Sequence, residues 1–109
     1  MIESKIGEIV TRRLALDPED YINIQKCWNA EMKILSCDIS QTINFIENEC
    51  DDETFCWIGE VFEDVAEITQ SKEFVDAIKR RAEKVVDIEK CRSVQVDVRY
   101  AEDSLLDDE

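Results

Sequence analysis

The sequence predicts an all-α protein: a small antiparallel bundle of five to six helices in one domain. Three observations predict it. Apolar residues recur every three to four positions along nearly the whole chain. Two glycines and one proline in 109 residues leave too few tight turns for a sandwich or barrel. The joints between apolar stripes are short and polar, which favours antiparallel neighbours. A chain of this length builds one core, placed at 1–106, with a frayed acidic end at 107–109.

The first helix covers 2–16, where Ile2, Ile6, Ile9, Val10 and Leu14 share a face and Arg12 and Arg13 suit the negative end of the helix dipole. Asp17-Pro18-Glu19-Asp20 starts the second, with Asp17 as the cap and Pro18 in the first turn. Its stripe is Tyr21, Ile24, Cys27, Trp28, Met32 and Leu35, which places both Tyr21 and Trp28 in the core. Asp38 followed by Gln41 resembles a capping box ahead of Ile39, Ile43, Ile46 and Cys50. Asp51-Asp52-Glu53 opens the clearest helix, running to about Thr69, with Phe55, Ile58, Phe62 and Val65 inward and Val61 and Ala66 flanking them. Ser71 caps a helix that buries Phe74, Val75, Ile78, Ala82 and Val85. Val94 to Tyr100 alternates apolar and polar residues like a strand, yet nothing else in the chain offers a strand partner. A final helix over 93–106 is therefore expected, with a short extended piece as the alternative.

Composition narrows function. The net charge is −14, from 27 acidic against 13 basic residues, so direct binding to nucleic acid or an anionic membrane is excluded and a basic partner is expected. No apolar window spans a bilayer, and no signal sequence opens the chain, so the expectation is a cytoplasmic protein with reduced thiols at Cys27, Cys37, Cys50, Cys56 and Cys91. The absence of His removes the commonest general base and metal ligand. No Gly-rich phosphate loop, activated nucleophile, Cys-x2–4-Cys pair or EF-hand pattern is present, so neither catalysis, cofactor nor metal is expected.

The charge is unevenly distributed. Residues 38–70 hold ten acids and no Lys or Arg, whereas 71–92 sum to +2. On a helical wheel of 51–69, Glu53, Glu60, Asp64 and Glu67 converge opposite the apolar stripe, with Glu63 beside them and Trp57 at the boundary. A Trp bordered by carboxylates has the composition of a hot spot for a basic surface. An acid run is also the ordinary make-up of a solubilising helix face.

Phe55-x-Trp57-Ile58-x-Glu60-Val61-Phe62 followed by Gln70-Ser71-x-x-Phe74, about 30 residues with their surroundings, resembles small acidic immunity proteins of bacterial contact-dependent growth inhibition and related polymorphic-toxin systems. The resemblance implies a non-catalytic cytoplasmic inhibitor of the C-terminal toxin domain of a matching effector, a nuclease with a basic cleft. Glu53, Trp57, Glu60, Glu63, Asp64 and Glu67 are then the candidate partner-binding residues. The competing expectation is an acidic helical adaptor or DNA-mimic regulator that also binds a basic protein.

Overall fold

A computed structural model describes residues 2–86 and 92–106; the expected frayed end and Cys91 lie outside them. The described residues contain no strand. Helix α1 (Ile2–Ala15) is followed by α2 (Tyr21–Cys37) and α3 (Ile39–Asn44), which continues into a single π turn, Phe45–Glu49. Then come α4 (Asp52–Ile58), a 3-10 turn (Gly59–Val61), α5 (Phe62–Thr69), α6 (Lys72–Glu83) and α7 (Arg92–Asp103). The all-α bundle is as expected, and the alternating segment 94–100 is helical. Its Val94, Val98 and Ala101 are buried, so the period that packs is 3 to 4, and β-branched propensity yields to burial.

Side-chain caps fix the starts. Asp38 accepts from the Gln41 amide at 3.3 Å, Asp51 from Thr54 at 2.8 Å and Ser71 from Phe74 at 3.0 Å. The expected cap of α2 shifts from Asp17 to Asp20, which accepts from the Asn23 amide. Asp17 and Pro18 form a separate turn closed by the Asp20 amide on the Asp17 carbonyl at 2.9 Å, so the helix begins three residues later. Tyr21 thereby becomes the first helical residue and is 74% exposed, contrary to its expected place in the core.

The core joins Phe45, Phe55, Phe62 and Phe74 to Ile6, Leu35, Ile46, Ile58, Ile78 and Val94, all fully or almost fully buried. The Phe62 ring lies 5.2 Å from Phe55 and meets Phe74 edge-on at 5.9 Å. The helix expected over 51–69 is interrupted at Gly59. A Cβ there would lie 2.8 Å from Asp97 Oδ2 and 3.1 Å from Val94 Cγ2, so backbone contact with α7 is what the glycine permits. The break leaves the stripe intact: Phe55, Ile58, Val61, Phe62 and Val65 are all buried.

The expectation of reduced thiols fails at Cys56, which is disulfide-bonded, while among the described residues Cys27, Cys37 and Cys50 are free. A bridge needs only spatial approach of two cysteines, which spacing along the chain does not report. Among the described residues no helix is long and apolar enough to cross a membrane.

Candidate protein-binding face

The ten acids of 38–70 separate into three groups once folded. Asp38 and Asp51 cap helices. Glu47, Asp52 and Glu60 take internal counter-ions from the basic segments: Arg80 pairs with Glu47, Arg81 with Asp52 at 2.7 Å, and Arg13 with Glu60. Arg81 is itself buried, stacked 5.2 Å from the Phe55 ring and donating to the Cys50 carbonyl at 2.8 Å. The amide of Val86 and the Arg81 guanidinium, in that order, hold the Asp52 carboxyl below its ordinary pKa. Glu49, Glu53, Glu63, Asp64 and Glu67 form no ion pair among the described residues, and all five are exposed.

Four of the expected binding residues therefore face solvent. Glu53 stands in the first turn of α4, on the other side of the 3-10 turn from Glu63, Asp64 and Glu67, which share α5. Burial, then the charge of Glu67, raises the Asp64 pKa. Glu60 does not belong to that free set. Its carboxylate accepts from Arg13 Nε at 3.1 Å and Nη2 at 2.9 Å, a bidentate pair, and from the indole Nε1 of Trp28 at 2.8 Å. Trp57 is partly buried, with the same Arg13 guanidinium 5.2 Å from its ring centroid. One arginine thus ties α1 to both the Trp and the Glu of the 57–60 turn.

No family model, curated protein or solved structure matches this chain.

Two further acids escaped the sequence reading. Glu31 is fully buried, and neither of its carboxylate oxygens has a hydrogen-bond partner. Burial, then the neighbouring charge of Glu60, pushes its pKa up to about 8 against the pull of Arg13, so it is mostly neutral at pH 7. Asp97 on α7 lies against Gly59 and is pushed up to about 6 by burial, Glu60 and Glu63. A signal for Glu31 was present: it falls between Cys27 and Leu35 at four-residue spacing, at the centre of the α2 stripe. For Asp97 the strand-like pattern concealed the helical face.

Thiol chemistry is subdued where it is resolved: burial raises the Cys27 thiol and pushes Cys50 up to about 12. Among the described residues no cluster of His, Cys, Asp or Glu has the geometry to hold a metal ion. Glu53, Glu63, Asp64 and Glu67 thus leave an exposed, anionic surface on α4 and α5.

Proposed function

We propose that the protein is a cytoplasmic immunity protein that neutralises the nuclease toxin domain of a contact-dependent growth inhibition effector by binding it. The observation that carries the reading is the set Glu53, Glu63, Asp64 and Glu67, exposed and without counter-ions among the described residues, in the segment that resembles such proteins. These carboxylates pair with the Lys and Arg side chains that a nuclease uses to hold phosphates, and so compete with its substrate. Trp57 supplies an apolar anchor at the edge of the face, and Glu60 acts indirectly by holding Arg13 and Trp28 in place. Association is electrostatically steered and weakens with salt.

The test is the affinity for the toxin domain encoded directly upstream of this gene, with Glu63, Asp64 and Glu67 changed together to Lys. Loss of binding by at least about a hundredfold is expected for three reversed charges. Unchanged affinity in a folded variant refutes the acidic-face mechanism, and an upstream product without affinity for the native chain refutes the immunity reading.

A further inference from the structure

Helices α5 and α7 run parallel and are held in register at two points. At one, Gln70 donates from Nε2 to the Ser104 carbonyl at 3.1 Å and accepts from the Leu106 amide at 2.7 Å. Gln70 adopts the left-handed conformation (φ 51°) at the C-cap of α5, and its side chain spans to the end of α7 from there. At the other point, Asp97 and Val94 pack over Gly59, just ahead of α5. Residues 59 and 70, which flank α5, therefore lie against 97 and 104 along α7 and its end. Glu63 and Glu67 fall between the first two and Tyr100 between the second two. Tyr100 is 52% exposed and Val96, one turn away, 44%; helical periodicity puts both on the solvent side of the seam. An uncovered apolar step thus adjoins carboxylates, and α5 contains no Lys or Arg to neutralise them.

We propose that this α5–α7 seam is the docking site for a basic amphipathic helix of a partner protein. Its apolar ridge lies on Val96 and Tyr100, and its Lys or Arg side chains reach Glu63, Glu67 and Asp97. Charge complementarity selects the occupant: a second copy would bring a further −14 against the same sign, and nucleic acid or an anionic membrane is repelled. A helix docked this way lies along the seam with a tyrosine at its centre, a residue type enriched in binding hot spots. The proposal rests on the partner's being a basic protein, not on its being a toxin.

The test titrates the isotope-labelled full chain with a short amphipathic peptide of leucine and lysine at low salt, followed by NMR. Shifts are expected at residues 60–70 and 93–104. Tyr100→Ala, or Glu63→Lys with Glu67→Lys, is expected to weaken binding about tenfold or more. Glu8→Lys with Glu19→Lys makes the same charge change at exposed acids elsewhere and is expected to weaken it less than about threefold. Equal weakening by that control overturns the proposal. So does a footprint in the groove lined by Ile2, Lys33 and Cys37, self-association without peptide, or no measurable binding. A toxin domain that binds elsewhere overturns the seam and leaves the immunity reading standing; peptide on the seam with no affinity for the upstream product does the reverse.

Discussion

Glu31→Gln should convert a pH-dependent stability into a flatter one. The carboxyl is fully buried with no hydrogen-bond partner, and its pKa rises from 4.5 to about 8. A pKa raised in the folded state means that folding retains a proton which the unfolded chain has already released. Stability associated with the neutral carboxyl is thus complete below about pH 4.5 and is lost as pH rises to about 8. One such proton gives a slope of up to about 1.4 kcal/mol per pH unit across that window. Relaxation around the site softens the burial, so the expected loss between pH 5 and pH 8 is roughly 3 kcal/mol, a sizeable share of a domain's total. Gln has the same shape and cannot ionise. The variant should match the native chain at pH 5 within about 1 kcal/mol and exceed its stability at pH 8 by roughly 3 kcal/mol, on the order of 10 °C or more in Tm. Urea unfolding of both chains at half-unit pH steps measures the difference. The chain has no His, and Asp97, raised to about 6, shifts both curves alike, so Glu31 isolates cleanly in the comparison. Parallel stability curves for two folded proteins would refute the buried neutral acid.

Two other perturbations probe the same region. Arg13→Met leaves the partly buried Glu60 without its cation and should cost about 2 kcal/mol, with a changed Trp emission; adding Glu60→Gln, which keeps an acceptor for Trp28, should recover about half of that. A double variant no more stable than Arg13→Met in urea unfolding would remove the ion pair from the account. Gly59→Val forces a side chain into Val94 and Asp97 and should destabilise by about 2 kcal/mol; Asp97→Ala should restore only part, because the 3.1 Å approach to Val94 Cγ2 persists. Thermal melts of the single and double variants decide it, and full restoration would mean that Asp97 alone fills the gap.

Helical periodicity made most of the fold legible, since each apolar stripe before residue 94 had one dominant period and the caps at Asp38, Asp51 and Ser71 stood where oxygen-bearing side chains precede it. What escaped were effects of the third dimension. Gly59 falls inside the helix that periodicity predicts over 51–69, and its close approach to α7 leaves no mark on that period; Asp17 looked like a cap because the closed turn before Asp20 leaves no periodic trace. Tyr21 fitted the period but sat before the first complete turn, where no neighbour covers it. At the candidate site, Glu53, Glu63, Asp64 and Glu67 were legible because exposure follows directly from opposing the apolar stripe. The engagement of Glu60 was not, because its partner Arg13 is 47 residues away in sequence.

The internal ion pairs explain why a net charge of −14 can accompany a folded bundle. Basic residues of α1 and α6 pair with the partly buried acids of 38–70, Glu47, Asp52 and Glu60, and form no ion pair with Glu63, Asp64 or Glu67. Unpaired acids are therefore concentrated in α5 and its border with α7, where burial first and neighbouring carboxylates second raise the pKa values of Asp64 and Asp97. No ion pair among the described residues relieves the repulsion among these acids; a cationic partner docked as proposed would, and its binding there should stabilise the protein by mass action. Glu31 differs in kind. It is fully buried, out of reach of any docked side chain, so its cost persists in a complex. The two acidic defects can consequently be separated: partner or salt should relieve the α5–α7 repulsion, whereas only protonation or substitution should relieve the one in the core.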